Sequence, residues 1–290
     1  MCCHRPHAVT WFSVDVTVLS LVNGAPGCAP RTPVLACADA LRAGGATVEL
    51  VDAVDDAGID AAVASGTRLV VAADTDSQVR AVLRRAVRRL APPPSSRPDD
   101  LPGDRTVPDL PPLAVLPLAQ RPDLIRDLDL PAEPTAVAAA VLGGRVRRTD
   151  LLRHDGGGVT VNGVRIGGGD RPWRGQIALD DLVLSDGSEP VITCVVANAG
   201  GYGRIDGLGM CEPDPADGRL DVAVAVPFVH RGLVKRRTRV EVRRARGRAV
   251  AITPMAEVPH LDDGTVSDLN RKRTWWMERA AAGWYVPDSA

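Results

Sequence analysis

The chain has 290 residues, 45% hydrophobic and 24% charged, the profile of a folded chain about twice as long as a typical domain. A net charge of −1 and an aromatic content of 3% exclude a nucleic-acid partner, since neither a global field nor stacking platforms exist to hold one. No run approaches the ~20 apolar residues of a membrane span, and the six cysteines form no CxxC pair, which suits free thiols in a reducing, cytoplasmic compartment.

Residues 1–15 read as a tail. Cys2, Cys3, His4 and His7 are ligand-type side chains, but they crowd a terminus instead of forming the two spaced pairs of a zinc site, so no metal is assigned there. A strand over 16–22 ends at the turn signal Asn23-Gly24. A helix over 33–41 is closed by Gly44-Gly45, and a short strand (47–51) and helix (59–64) follow. Residues 68–73 are a continuous apolar strand of the kind buried on both faces of a parallel sheet.

The next segment is a strong helix, with Val79, Val82, Leu83, Val87 and Leu90 on one face and Arg80, Arg84, Arg85, Arg88 and Arg89 on the other. Residues 91–112 are a proline-rich connector expected to be exposed. A buried strand (113–118) and a helix (134–142) complete a first domain of repeated β-α-β units over 16–148, which predicts a doubly wound parallel sheet. Lys235 and Lys272 are the only lysines, so a GK[ST] phosphate loop is excluded from this domain.

From residue 149 to 290 the pattern becomes antiparallel. A hairpin is expected around Asn162-Gly163, whose residues suit a type I′ turn. Strands are expected over 176–184, 190–198 and 220–226, and a second hairpin across Gly247. The fold class is thus α+β in two domains, an N-terminal doubly wound α/β domain followed by an antiparallel β-sandwich.

Several segments, in order, resemble the diacylglycerol kinase catalytic-domain family of bacterial lipid kinases, related in turn to sphingosine kinases and more distantly to NAD kinases. The likeness spans roughly 16–287. Asn23-Gly24 stands where the family has Asn-Pro, and Ala72-Ala73-Asp74-Thr75-Asp76-Ser77 takes the place of its GGDGT nucleotide loop. The segment from Pro117 through Gln120 and Pro122 to Asp123 corresponds to PLGTxND, with Arg126, Leu128, Leu130 and Pro131 keeping its spacing. Gly144 to Asp150 is similar to a G-x-x-R-x-x-D segment, and Asn198 to Gly203 to an Asn-then-glycine stretch. The run from Pro213 to Val222, with Asp217-Gly218 inside it, matches P-x-A-x-DG-x-LDV. Asp263-Gly264-Thr265 is similar to the family's DGE.

The resemblance implies ATP-dependent phosphoryl transfer to a lipid hydroxyl, with ATP and Mg²⁺ required. It places the nucleotide at Asn23, Ala72, Ala73, Asp74, Thr75, Asp76, Ser77, Gln78, Gln120 and Asp123. It makes Asp263 the general base, and Asp217 a magnesium-associated residue with backbone groups of Asp214 and Arg219. The partner is then a lipid or other small-molecule acceptor.

The residues themselves leave alternatives open. Ala72, Ala73 and Thr75 replace glycines that allow close approach of phosphate, and β-branched threonine resists positive φ. Asp74 and Asp76 either share a Mg²⁺ ion, mark a degraded site on a catalytically inactive lipid- or nucleotide-binding relative, or are solvated turn residues. Asp76 or Ser77 is expected to cap the helix that follows. Asp217 and Asp263 each sit before a glycine and also read as turn residues. NAD kinase-like chemistry is a further alternative.

The stretch 235–248 holds eight basic residues. Alternation places Arg239, Glu241 and Arg243 on a solvated strand face and Val240 and Val242 inward. Peripheral contact with an anionic membrane is the second expectation for this stretch. Trp275, Trp276 and Met277 are read as core residues before interfacial ones.

Overall fold

The computed structural model describes residues 14–21, 31–118, 120–168, 171–205, 207–231 and 236–288. Asn23, Gly24, Ala119, Lys235 and the Cys2–His7 cluster lie outside them.

The first layer is built from β1 (Asp15–Leu21), α1 (Arg31–Ala43), β2 (Thr47–Ala53), α2 (Asp56–Ala64), β3 (Arg68–Ala73), α3 (Asp76–Leu90), β4 (Leu113–Pro117), α4 (Asp123–Asp127) and α5 (Pro134–Gly143). The strands run parallel in the order β2-β1-β3-β4. Their apolar runs are covered on both faces. Val71 and Ala73 pack with the Val79–Val87 stripe of α3, while Val70 and Ala72 pack with Val34, Leu41, Val137 and Val141 of α1 and α5. Pro134 opens α5 and Gly144, at φ 74°, closes it. A side chain at Gly144 would meet the guanidinium of Arg68 at 2.8 Å, and that group donates to the helix-end carbonyl of Leu142 at 3.0 Å.

The connector is exposed over residues 95–100, as its prolines suggest, but its second half is docked. Val107 and Leu110 are fully buried against the first core, and Thr106 N–H donates to the buried Glu278 carboxylate at 2.6 Å. The connector has apolar residues between its prolines, and docking them frees the chain from exposing them.

The rest of the chain is β5 (Val146–His154), β6 (Val159–Thr160), β7 (Gly163–Gly167), β8 (Gly175–Leu179), β9 (Leu182–Asp186), β10 (Thr193–Ala197), β11 (Arg204–Ile205), β12 (Leu208–Gly209), β13 (Leu220–Arg231), β14 (Arg236–Gly247), β15 (Ala249–Pro254), β16 (Val258–Asp262), β17 (Thr265–Leu269) and β18 (Arg273–Tyr285). One sheet runs β14-β13-β10-β7-β16-β17. The other continues the parallel layer through β4-β18-β15-β8-β9, with β5 paired to β18 and β6. The two enclose a second core containing Val164, Ile166, Val222 and Val224 from one sheet and Ile177, Val250, Ile252 and Trp275 from the other, so the antiparallel part is a sandwich.

Neither expected hairpin forms. β6 pairs with β5 whereas β7 pairs with β10 and β16, and neither Asn162 nor Gly163 takes a positive φ. β14 pairs with β13 whereas β15 pairs with β18 and β8. At both places the chain crosses from one sheet to the other, which two-residue turn chemistry does not anticipate. The stretch read as one strand over 176–184 is a hairpin, β8-β9, turned at Asp180 (φ 47°).

β18 joins the two parts. Its first half supplies Trp275 and Met277 to the sandwich core, and its last residues give Ala281, Ala282 and Trp284, joined by Val286 just beyond it, to the core under the parallel sheet. The register shifts between Glu278 and Ala282, where Ala280 takes φ 52°. Asp150, fully buried, fixes this bulge by accepting from Ala280 N–H (2.7 Å) and from Gly218 N–H (2.5 Å). Along β14, Val242 packs beside the Ile205–Met210 cluster. Val240 lies past it and is exposed rather than inward-facing.

Candidate functional site

A cleft of about 480 Å³ opens between the N-terminal ends of α3 and α4 and the β-sandwich. Asp74, Thr75, Asp76, Ser77, Gln120 and Asp123 line one side of it, and Asn162, Arg165, Tyr202, Arg204 and Gly264 the other. The structure therefore brings together most of the positions that the resemblance assigned to a nucleotide, and sets the Asp263 turn beside them.

The loop after β3 is closed on itself. Thr75, at φ −138°, is the N-cap of α3 and forms a capping box with Gln78, so the cap is neither Asp76 nor Ser77, and the helix starts two residues earlier than expected. The extended backbone of Thr75 removes any need for glycine. Gln78 Oε1 accepts from the amides of Asp74 (2.7 Å) and Thr75 (3.3 Å). These loop amides are the ones a phosphate at this position would need. Ala72 and Ala73 are fully buried as the last residues of β3, and their methyls face the two cores of the first layer, not the cleft.

The second loop is satisfied by the first. Asp74 Oδ1 accepts from Gln120 N–H at 3.0 Å, and Asp76 Oδ1 accepts from Leu124 N–H at 3.0 Å. Asp123 pairs with Arg126 at 3.2 Å. Burial pushes the Asp76 carboxyl up to about 6, with the charges of Asp123 and Asp127 adding to the effect and hydrogen bonds from Leu124 and Asn162 opposing it. Both aspartates thus serve as braces between α3 and the loop before α4.

Asp263 is 1% exposed. One of its oxygens accepts from Asn162 N–H (2.9 Å) and Gly163 N–H (3.1 Å), the other from Val161 N–H (2.7 Å). Burial, then the neighbouring Asp262 carboxylate, holds its pKa well above the ordinary carboxylate range. The carboxylate turns into the protein and clamps the crossing between β6 and β7. Only the following Gly264 lines the cleft, its N–H donating to Tyr202 Oη at 3.4 Å.

Asn162, read from sequence as a turn residue, is the hub of this wall. Its Nδ2 donates to Asp127 at 2.8 Å and its Oδ1 accepts from Gly201 N–H at 3.0 Å. One side chain therefore ties α4 to the 3₁₀ turn Gly200–Tyr202. A short polar residue between two strands looks like a turn until its distant partners are known.

Asp217 and Arg219 lie elsewhere, on a separate hollow with Asp104, Asp180 and Arg246. Asp214 accepts from Ala216 N–H (3.0 Å), and Asp217 accepts from Arg219 N–H (2.9 Å) and pairs with Arg246. These are turn-closing bonds. Among the described residues no group of three or more His, Cys, Asp or Glu side chains is arranged to hold a metal ion.

The cleft's uncommitted groups are cationic. Arg121, Arg165 and Arg204 line it with no hydrogen-bond or carboxylate partner among the described residues, and Arg165 Nε is buried without an acceptor. The alternation of β7 points Arg165 into the cleft from a strand whose neighbours Val164 and Ile166 are core. Nothing in a motif marks it. The chemistry of this donor set does not fit a polyphosphate and Mg²⁺ held by loop amides and paired aspartates, because those amides and aspartates already satisfy one another. It fits an anion gripped by guanidinium side chains.

No family model matches the chain, and no curated protein does. Solved structures do. A diacylglycerol kinase from Bacillus anthracis str. Sterne superposes with a TM-score of 0.65 over 96% of this chain and 98% of that one, at 15% identity. An NAD kinase from Archaeoglobus fulgidus, in complex with ATP, gives 0.56 over 95% and 94%, at 13% identity. The chain has the two-domain fold of diacylglycerol kinase-like and NAD kinase-like proteins, a parallel α/β layer joined to an antiparallel sandwich. At these identities the likeness is one of fold. No helix among the described residues is long and apolar enough to cross a membrane.

Proposed function

We propose that this chain is a diacylglycerol kinase-like protein that binds a phosphorylated small molecule in the interdomain cleft and does not transfer its phosphoryl group. One observation carries the reading: Gln78, Asp74 and Asp76 cap the amides of both loops, while Arg121, Arg165 and Arg204 keep their donors uncommitted. A bound phosphate would gain charge-assisted, two-pronged contacts from arginine without displacing Gln78. Asp263, with both oxygens on backbone amides, acts as a brace and not as a base.

The test is incubation with γ-labelled ATP, Mg²⁺ and diacylglycerol or a sphingoid base, followed by lipid extraction. No label is expected in the lipid. Label that appears, and disappears in Asp263→Asn, overturns the reading in favour of ATP-dependent transfer to a lipid hydroxyl, the activity that the fold neighbours' names suggest. A thermal-shift series with ATP, ADP and NAD, with and without Mg²⁺, tests the cleft directly: stabilisation that is independent of Mg²⁺ and lost in Arg165→Ala is the expected result.

Peripheral contact with an anionic membrane is the proposed role of the β13-β14 ribbon, where Phe228 and Val240 are exposed beside Arg239. Co-sedimentation with phosphatidylglycerol vesicles that survives Phe228→Ser would remove this proposal.

A further inference from the structure

Behind the Asp262–Asp263 turn, α3 and the β-sandwich enclose a second hollow of about 310 Å³. Ser77, Arg80, Arg84 and Arg88 form its helical wall at three- and four-residue spacing, so one face of α3 delivers three guanidiniums to one space. Arg273 enters from β18, giving four arginines against a single lining carboxylate, Asp262.

That carboxylate is already committed. Arg80 pairs with Asp262 at 2.9 Å and donates to Thr265 Oγ1 at 2.9 Å, while Thr160 Oγ1 donates to Asp262 at 2.8 Å. Arg84 shares Asp56 on the outer side at 3.3 Å, and its Nε is buried with no acceptor. Arg88 is exposed and forms no hydrogen bond or salt bridge among the described residues; the one carboxylate that feels its charge, Asp60, is already paired with Arg85. Arg273 lies 5.9 Å over the Trp275 ring and donates to His260 Nε2 at 3.2 Å, with no salt bridge among the described residues.

The far wall is shaped to stay close and neutral. His154 Nδ1 accepts from Gly156 N–H at 3.0 Å, a pattern that assigns the remaining proton to Nε2. A side-chain carbon at Gly158 would stand 2.2 Å from this ring, and one at Gly156 2.9 Å, so the glycine loop lies flat against the imidazole. Burial lowers the pKa of His154 to about 4 and also lowers that of His260, with the Arg273 charge adding in both cases. The excess positive charge therefore resides in the arginines alone.

The geometry points to this hollow as a second binding site, for a small phosphorylated molecule whose phosphate dianion is held between Arg88 and Arg273 with Arg84 Nε behind them. A dianion answers two guanidiniums that form no salt bridge among the described residues, and its oxygens match the planar fork of arginine. The site goes beyond the reading of the cleft, with which its lining shares only Ser77.

The test follows the imidazole resonances of His154 and His260 by NMR while inorganic pyrophosphate is added to the full chain. They are expected to shift and saturate, with binding about tenfold weaker in Arg88→Ala, lost in Arg88→Ala/Arg273→Gln and unchanged in the cleft variant Arg165→Ala. Arg88 is exposed, so its replacement leaves the fold intact. Resonances that do not move, or that move equally in the wild type and the double variant, overturn the proposal. A parallel arm uses phosphatidylcholine vesicles with and without phosphatidate. Arg88-dependent sedimentation with phosphatidate, in the absence of any pyrophosphate response, makes a lipid headgroup the source and overturns the small-molecule assignment.

Discussion

The two walls of the interdomain cleft treat their polar groups in opposite ways. On the α3-α4 side every carboxylate has a donor, and the loop amides of Asp74, Thr75, Gln120 and Leu124 have side-chain acceptors. On the sandwich side, Arg165 and Arg204 have donors and no acceptor among the described residues, as has Arg121 at the edge of the first wall. The difference teaches how a helix cap changes what a loop can offer a ligand. Gln78 consumes the amides of Asp74 and Thr75 at home, so the donors left facing the cleft are those of side chains.

The strongest way to break this comparison is at Asp263. If it braces the crossing between β6 and β7, Asp263→Asn sets an amide NH₂ against backbone donors and costs about 2–4 kcal/mol, as for other buried charged hydrogen bonds. Urea unfolding measures this, and a change below about 0.5 kcal/mol, the size of an ordinary surface substitution, would return the residue to the ligand.

The next effect is on pH dependence. The folded pKa of Asp76 is raised from 3.8 to about 6, so it contributes stability that is fully present below about 4 and lost as the pH rises through 6, on the order of 1–3 kcal/mol. His154 acts oppositely: its pKa falls from 6.5 to about 4, so its contribution is lost as the pH drops from 6.5 to 4. Asp76→Asn keeps an oxygen for Leu124 N–H and is expected to raise stability at pH 7 relative to pH 5, read from urea midpoints at the two values.

Arg165→Ala sharpens the same contrast on the other wall. It should weaken pyrophosphate binding in the cleft about tenfold, by calorimetry, with little change in the melting temperature. The smallest effect is expected for Gln78→Ala, which removes half of a capping box at about 1 kcal/mol and frees the amides of Asp74 and Thr75. ATP should then bind a few-fold more tightly, measurable by thermal shift.

The parallel layer was legible in the sequence because its signals are local. The six-residue apolar run of β3, the α3 stripe and the Pro134 and Gly144 punctuation each describe their own element. The sandwich was legible as a class but not in its pairing. Asn162-Gly163 and Gly247 carry turn chemistry, yet the chain crosses between sheets there, and what holds Asn162 is Asp263, about a hundred residues away. β18 escaped notice because its alternation breaks at Ala280, whose bulge is set by Asp150. At the site, several of the segments that the motif order singles out line one cleft. Thr75 and Gln78 carry the spacing of a capping box, which motif order alone does not reveal, and Arg165 lies in no motif.

The closing strand has one more consequence. Because Ala281, Ala282, Trp284 and Val286 complete the core beneath the parallel sheet, residues 31–143 lack part of their interior until residues 281–286 dock against them. The parallel layer is therefore not a closed unit, and a cut before β18 would leave it with an open apolar face.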